Sequence, residues 1–209
     1  MDELVLRAMA RWPNVPAVFG WLRLDRRGQW WLIDRGAPGF DEARDGRGSP
    51  ITSEPIIDFI GRNYAHDALG RWYWQNGPQR VFVCLDLAPL VLRVFGEQPA
   101  QRLVAHTGHP IERLDGVGSD DAGNLFAVTD RGPGVIDDRD LAALELDLHD
   151  PTAAGASAEP SADTSAGASA SGRGGGAACG ELRLMGRHPV RPLAGDPGAA
   201  LGFQRRPRP

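Results

Sequence analysis

The chain has 209 residues, of which 42% are hydrophobic, and a formal net charge of −4 at pH 7. This length and apolar content allow one ordinary globular domain with appendages. No stretch approaches the roughly 20 apolar residues that a membrane-spanning helix needs, and the first residues lack the pattern of a secretory signal. We therefore expect a cytoplasmic protein with no membrane partner.

The basic residues and the cysteines give little sign of specialised chemistry. All 23 basic residues are arginine. This pattern, like the abundance of alanine, glycine and proline, fits a GC-rich coding bias. The two cysteines, Cys84 and Cys179, lie in segments of very different composition. A native bridge between such segments is improbable, so we expect free thiols.

The composition changes sharply near Asp150, which predicts three parts. Residues 1–149 read as a globular domain, whereas residues 150–180 are mostly alanine, glycine, serine, threonine and proline. Such a segment has too little apolar bulk to offset the entropy of ordering, so it is predicted to be a disordered linker. Residues 181–209 form a short basic tail that we expect to dock on the acidic domain. The alternative, a nucleic-acid-binding arm, is disfavoured because proline and glycine separate the sparse arginines.

Local patterns in the first part of the domain predict two helices and one hairpin. Apolar residues at helical spacing predict the helices, and a serine before an apolar run predicts the start of the second one. Glycine at a short turn predicts the hairpin. In chain order these elements are a helix over 2–11, hairpin strands over 18–25 and 29–34, a mobile excursion over about 36–50, and a helix from Ser53 to about Tyr64.

The second part of the domain predicts further hairpins. Asn76-Gly77 is predicted to form a type I′ turn, which makes this hairpin the clearest local signal in the chain. The predicted elements are strands over 71–75, 79–87, 90–95, 102–107, 111–117 and 124–129, and a short helix that Asp137 or Asp138 caps and that continues through Leu146. Sequential short strands with about three short helices indicate an α+β fold built on a twisted antiparallel meander sheet.

Four tryptophans in the predicted strands are candidate ligand-binding residues. Alternation along a strand places Trp72 and Trp74 on one face, and Trp30 and Trp31 on opposite faces. One interpretation is a stacking platform for a sugar, a base or a partner side chain. The other is that these indoles fill the core, which a domain of about 150 residues needs and which we favour.

Two Asp-Arg-Gly turns suggest a second candidate surface. The segment from Gly28 to Gly36 weakly resembles the segment from Gly123 to Gly132, and each ends in this tripeptide. A duplicated hairpin would place Arg35 and Arg131 on one rim, where their planar forks could hold a small anion. Because turns after strands favour aspartate and glycine, chance is the simpler explanation.

The catalytic inventory is thin. His106 and His109 lie across a predicted strand end and could hold a metal ion, although a third ligand is not evident and His66 and Asp86 are nominal candidates. We find no nucleophile elbow, phosphate-binding loop, dinucleotide fingerprint or paired-cysteine motif. The sequence therefore identifies no cofactor.

Three segments resemble an uncharacterised proteobacterial family of unknown function. They are Arg11–Leu22, Ile57–Tyr64 and Gln75–Val83. The resemblance covers roughly residues 11–141 and implies a bacterial protein with no assigned active site.

The function is not determined by the sequence. The leading hypothesis is a non-catalytic binding or adaptor protein that engages a protein or a small anionic ligand through the aromatic sheet face or the arginine-bearing rim. The alternative is a metal-dependent hydrolase centred on His106 and His109, which requires a concave pocket holding both imidazoles and a further ligand.

Overall fold

The computed structural model describes residues 1–97, 100–144, 146–149, 181–185 and 188–209. The helices in these ranges are α1 Glu3–Arg11, α2 Glu42–Asp45, α3 Glu54–Arg62, the 3-10 helix η1 Asp138–Asp140, and α4 Pro197–Leu201. The strands are β1 Val18–Leu24, β2 Trp30–Leu32, β3 Ser49–Pro50, β4 Tyr64–His66, β5 Trp72–Asn76, β6 Gln79–Leu85, β7 Leu90–Phe95, β8 Arg102–Ala105, β9 Leu114–Ser119, β10 Leu125–Thr129, β11 Gly132–Ile136, β12 Leu146–His149, β13 Glu181–Leu184 and β14 His188–Pro192. No helix in these ranges is long and apolar enough to cross a membrane.

The first sheet has six strands in the order β3-β2-β1-β6-β5-β4. The two predicted hairpins are confirmed, since β1 pairs antiparallel with β2 and β5 pairs antiparallel with β6. β1 and β6 lie side by side in parallel, and the predicted helix α3 lies in the chain segment that connects them. Ser53 occupies the N-cap position of α3, but its side chain makes no capping hydrogen bond.

The predicted excursion over 36–50 contains regular structure. It includes α2, whose N-terminus is capped by the Asp41 side chain, and β3, which pairs with β2. Its mobility stays a prediction.

The second sheet has eight strands in the order β12-β13-β14-β9-β10-β11-β7-β8. The predicted hairpin of β9 and β10 is present, and β7 pairs antiparallel with β8. The strand β11, which the sequence pattern does not predict, pairs antiparallel with β10 and parallel with β7. β14 pairs parallel with β9, on the side of β9 opposite to β10.

The predicted α+β class is confirmed, although the sheets differ from a single antiparallel meander. Each of the two sheets is mixed, because three strand pairs run parallel: β1 with β6, β7 with β11 and β9 with β14. Alternating apolar residues predict that a segment is a strand, but a parallel partner arrives through a long connection that local pattern does not encode.

The turn between β5 and β6 is one residue later than predicted. Asn76 pairs with Gln79, so the two-residue loop is Gly77-Pro78 rather than Asn76-Gly77. Gly77 has a φ of 56°. A type I′ turn needs positive φ at both central residues, which the pyrrolidine ring of Pro78 forbids. The proline therefore overrides the Asn-Gly signal, and the loop has its positive φ at the first central residue, as type II′ turns do.

The two sheets share one hydrophobic core. Leu22, Leu24 and Trp30 of the first sheet and Val91 and Phe126 of the second belong to one cluster, and each is at most 2% exposed. Full burial of a side chain of this kind stabilises the fold by roughly 1.5–3 kcal/mol. These side chains therefore hold the two sheets together.

The C-terminal segment returns to the body of the protein. Phe203 is 4% exposed and lies in the shared core. The backbone N–H of Gln204 donates to the carbonyl of Gly70 at 2.9 Å, and that of Leu85 donates to the carbonyl of Arg205 at 2.8 Å. The division into domain, linker and tail stays a prediction, and the linker over 150–180 lies outside the described residues.

Candidate functional site

The side chains singled out from the sequence do not form one site. Some of these side chains line one of two cavities, and the two cavities share no lining residue. Arg35 lines the first cavity; Trp72, His109 and Arg131 line the second; Trp30, Trp31, Trp74 and His106 line neither. Arg35 and Arg131 therefore do not meet on a common rim.

Trp30 and Trp72 are core residues. Trp30 is 2% exposed and Trp72 is 4% exposed. The ring of Tyr64 packs against both, with centroid distances of 5.2 Å to Trp30 and 4.9 Å to Trp72. Their faces are covered by protein, so these two indoles offer no stacking platform in this conformation.

Trp31 and Trp74 are half-buried and also engaged. The indole N–H of Trp31 donates to Asp25 at 3.0 Å, and the guanidinium of Arg47 lies 5.2 Å from its ring centroid. Trp74 packs edge-to-face on Phe59 at 5.9 Å, and its buried indole nitrogen has no hydrogen-bond partner among the described residues. A ligand-binding role for these residues stays a prediction, and neither ring is freely presented.

The two histidines lie in different surroundings. The Nδ1 atom of His106 accepts a hydrogen bond from the backbone N–H of Val91 at 3.2 Å, and its buried Nε2 has no partner among the described residues. Burial lowers the pKa of His106 to about 3, so its imidazole is neutral at physiological pH. His109 instead lines the second cavity. Gly108, with a φ of 81°, makes the turn that separates them.

The described residues offer no metal centre. No group of three or more histidine, cysteine, aspartate or glutamate side chains among them could hold a metal ion. The hydrolase alternative therefore has no ligand set in this part of the chain, and His106 faces the core rather than a cavity.

The first cavity, which we call the arginine cavity, has a volume of about 410 Å³. Its wall is formed by β1, the segment from the end of β2 through α2, the end of β6 and the C-terminal segment. Among the described residues that line it, five are arginine and two are acidic: Arg23, Arg35, Arg205, Arg206, Arg208, Glu42 and Asp86. The cavity therefore carries an excess of positive charge.

Two of these arginines are held by carboxylates. Arg23 makes a two-bond contact with Asp86, at 2.7 Å and 2.5 Å. Arg35 donates to both oxygens of Glu42, at 2.6 Å and 2.9 Å, and to the carbonyl of Gly20 at 2.8 Å. The hydrogen bond to Asp86 raises the pKa of Arg23 further above its ordinary value. The guanidinium groups of Arg23 and Arg35 are therefore held in fixed orientations, because each makes two hydrogen bonds to one carboxylate.

The C-terminal segment supplies the remaining arginines. Arg205 donates to the carbonyl of Asp86 at 2.6 Å. No hydrogen bond or ion pair joins the guanidinium of Arg206 or Arg208 to another described residue. Neither guanidinium is therefore held by a carboxylate of the described residues, unlike those of Arg23 and Arg35.

Cys84 also lines the arginine cavity, as a free cysteine. Burial raises the pKa of its thiol, although Arg206 and Arg35 act in the opposite direction. The thiol is thus protonated at neutral pH, contributes no charge and is a poor nucleophile.

The second cavity, which we call the mixed-charge cavity, has a volume of about 530 Å³. Met1, which bears the N-terminal ammonium group, lines it. The ionisable and aromatic side chains in its lining are those of Asp2, Arg62, Tyr64, Trp72, His109, Asp130 and Arg131. Burial and the nearby Arg131 lower the pKa of His109. Two arginines and two aspartates therefore face one another around a neutral imidazole.

The arginine cavity was missed because its wall is discontinuous in sequence. Its parts come from residues 19–46, 84–86 and 205–209. The expectation that the basic tail docks on the domain was the available signal, but the docking position depends on Phe203 and on backbone hydrogen bonds that composition does not reveal.

A family model described as "Protein of unknown function (DUF2946)", and named DUF2944, matches residues 1–173. The chain belongs to the DUF2944 family. The predicted membership in a family of unknown function is thereby confirmed, and the matched region exceeds the expected 11–141. No protein with a curated description matches this DUF2944 chain.

Two solved structures resemble the DUF2944 chain described here. One is a DUF1285 family protein from Silicibacter pomeroyi DSS-3, with 20% identity and a TM-score of 0.41, covering 66% of this chain and 80% of that chain. The other is a DUF1285 family protein from Shewanella baltica OS155, with 12% identity and a TM-score of 0.42, covering 58% of this chain and 87% of that chain.

Proposed function

We propose that this protein is a non-catalytic binding protein whose arginine cavity holds a small anionic ligand. The observation that carries the proposal is the lining of one cavity of about 410 Å³ by five arginines and two carboxylates. A concave site with an excess of one charge raises the local concentration of oppositely charged molecules and holds them by charge-assisted hydrogen bonds.

The arrangement favours a ligand with at least two negative charges. Arg23 and Arg35 are neutralised by Asp86 and Glu42, whereas Arg206 and Arg208 have no such partner. Two free guanidinium groups can each form a forked pair with a phosphate or carboxylate group. The volume is within the range of small-molecule sites, about 300–1,000 Å³, so a compact ligand fits better than an extended polymer.

The lining chemistry argues for binding rather than catalysis. The thiol of Cys84 has a raised pKa, and the described residues that line the cavity include no histidine. A positioned base beside a nucleophile is the usual requirement for acyl or phosphoryl transfer to a side chain. The proposal therefore keeps the binding hypothesis drawn from the sequence, with Arg35 in the site and Arg131 outside it.

A cytoplasmic location is part of the same proposal. A free thiol at Cys84 supports a reducing compartment. Fractionation of cells that produce the protein tests it, and recovery outside the cytoplasmic fraction would contradict it.

Calorimetric titration with inorganic phosphate, pyrophosphate and citrate tests the binding function. We expect saturable binding of pyrophosphate or citrate that weakens as salt is added, because screening acts on exposed charges. The double variant Arg206→Ala/Arg208→Ala is expected to bind about 10- to 100-fold more weakly, since charge-assisted hydrogen bonds are lost.

Arg102→Ala is the matched control, because Arg102 is an exposed arginine on β8 that does not line the cavity. It should bind like the unmodified protein. An absence of saturable binding, or an equal loss in the control, would overturn the proposed function.

A further inference from the structure

The mixed-charge cavity is independent of the proposed anion site. It shares no lining residue with the arginine cavity and lies between the end of α3, the turn after β8 and the turn between β10 and β11. Its volume of about 530 Å³ is enough for a small molecule. Anion binding in the arginine cavity therefore gives no role to the mixed-charge cavity.

The turn between β10 and β11 presents a cation and an anion side by side. Arg131 donates through Nε to the carbonyl of Pro110 at 2.9 Å, which leaves its terminal nitrogens for a ligand. Asp130 accepts from the backbone N–H groups of Glu112 and Arg113 through one oxygen, each at 3.2 Å. Asp130 and Arg131 form no ion pair with each other, and no ion pair joins either to another described residue.

A second pair of opposite charges lies across the cavity. The Nε atom of Arg62 is 3.3 Å from both carboxylate oxygens of Asp2. Hydrogen bonding with Asn63 and the charge of Arg62 hold the pKa of Asp2 below its ordinary value. The side chains of these two pairs therefore contribute two positive and two negative charges, and Met1, whose N-terminal ammonium group also lowers the pKa of His109, lines the cavity beside them.

The remaining wall is apolar and rigid. Tyr64, Trp72 and Leu90 line it, but Trp72 and Leu90 are only 4% and 3% exposed, so the accessible part of this wall is the half-buried Tyr64. The Tyr64 hydroxyl already donates to the carbonyl of Pro89 at 3.2 Å. A Cβ atom placed on Gly132 would lie 2.8 Å from the Trp72 ring. The aromatic wall thus packs directly against the turn that carries Asp130 and Arg131, so the charged and apolar parts are fixed relative to each other.

A site that presents Asp130 beside Arg131, neither of them in an ion pair with another described residue, discriminates against simple anions and simple cations, because each would leave one of these two fixed charges opposed or unpaired. A zwitterion satisfies both. We propose that this cavity binds a free α-amino acid with an apolar side chain, its carboxylate on Arg131, its ammonium group on Asp130 and its side chain against the half-buried Tyr64.

Calorimetric titration with L-phenylalanine and L-leucine, beside 3-phenylpropionate and 2-phenylethylamine, tests this inference. The two analogues keep the ring but lack the ammonium group or the carboxylate. We expect at least one amino acid to bind saturably and both analogues to bind about 10- to 100-fold more weakly than phenylalanine, because each loses a charge-assisted contact.

Two variants locate the site. Arg131→Ala should abolish amino-acid binding, and Asp130→Asn should weaken it while its amide oxygen still accepts the two backbone N–H groups. Arg102→Ala is the matched control, because Arg102 is an exposed arginine on β8 that does not line the cavity. Thermal melting of each variant shows that it is folded.

Several results would overturn the inference. They are no binding of either amino acid, equal binding of 3-phenylpropionate and phenylalanine, or unchanged binding by Asp130→Asn and Arg131→Ala. The Arg206→Ala/Arg208→Ala variant should bind amino acids normally, so failure at one cavity is distinguishable from failure at the other.

Discussion

Gly132 allows an aromatic ring to approach the backbone more closely than a side chain would permit. Its φ is 115°, which L side chains rarely adopt, and a Cβ there would meet the Trp72 ring at 2.8 Å. Both the conformation and the contact therefore require glycine at this position.

Gly132→Ala is predicted to destabilise the protein by about 2–6 kcal/mol, from roughly 1–3 kcal/mol of backbone strain and about 1–3 kcal/mol of overpacking. Gly123→Ala is the control, because Gly123 has a φ of 79° and nothing within 4 Å of its added Cβ. Chemical denaturation measures both, and equal losses would show that the contact with Trp72 is unimportant.

His106 makes the stability of the protein depend on pH. Its pKa is about 3 in the folded protein, against about 6.5 for an exposed histidine, because burial disfavours the charged form. Below pH 6.5 the unfolded chain therefore binds a proton that the folded protein does not. The resulting loss of stability begins near pH 6.5, grows as the pH falls, and ends near the folded pKa.

At pH 5 this loss is predicted to be about 2 kcal/mol relative to pH 7. In His106→Asn the amide oxygen can still accept from Val91 and the titrating group is gone. The free energy of unfolding should then fall less steeply between pH 6.5 and pH 4, as measured by urea denaturation at each pH. Parallel curves for the two proteins would mean that His106 titrates normally in the folded state.

At the scale of elements, the C-terminal segment builds part of the binding site and part of the core. Phe203 is buried, and a Cβ on Gly70, whose φ is 71°, would lie 2.2 Å from the carbonyl of Gly202. The segment packs so closely on the loop before β5 that glycine is required there. Arg205 and Arg206 follow directly, so docking of Phe203 positions them at the arginine cavity.

Phe203→Ala is predicted to lower the free energy of unfolding by about 3–5 kcal/mol, because it removes a buried aromatic side chain. Phe95→Ala removes the same group from a side chain that is 46% exposed, and it should cost less than about 1 kcal/mol. Thermal and urea unfolding compare them. Similar small losses in both would contradict docking of the C-terminal segment in solution.

Elements with strong local signals could be predicted from the sequence. Helices α1 and α3 and the hairpins of β1 with β2, β5 with β6, and β9 with β10 follow from periodicity and turn residues. The short strands β4 and β11 were missed because each follows its preceding element within a few residues and contains little alternation. The parallel partners were missed because strand pairing across long connections depends on tertiary packing.

At the scale of the whole molecule, the arginine cavity and the mixed-charge cavity are separate and differ in charge. The first is lined by an excess of arginine, and the second is lined by two arginines, two aspartates and the N-terminal residue Met1. Because they share no lining residue, we expect their ligands to bind without direct contact.

The sequence identified some members of these sites but not their grouping. Arg35, Trp72, His109 and Arg131 were singled out by turn motifs, aromatic content and histidine spacing, yet the fold distributes them over both cavities. Which face a strand buries, and where a distant segment docks, are properties of packing that the local residue pattern does not contain.

The arginine cavity is tested most directly by NMR of the arginine Nε–H groups during titration with pyrophosphate. We predict saturable shifts of Arg206 and Arg208, with Arg102 and Arg131 unaffected. Uniform shifts across all arginines that do not saturate would contradict a specific anion site.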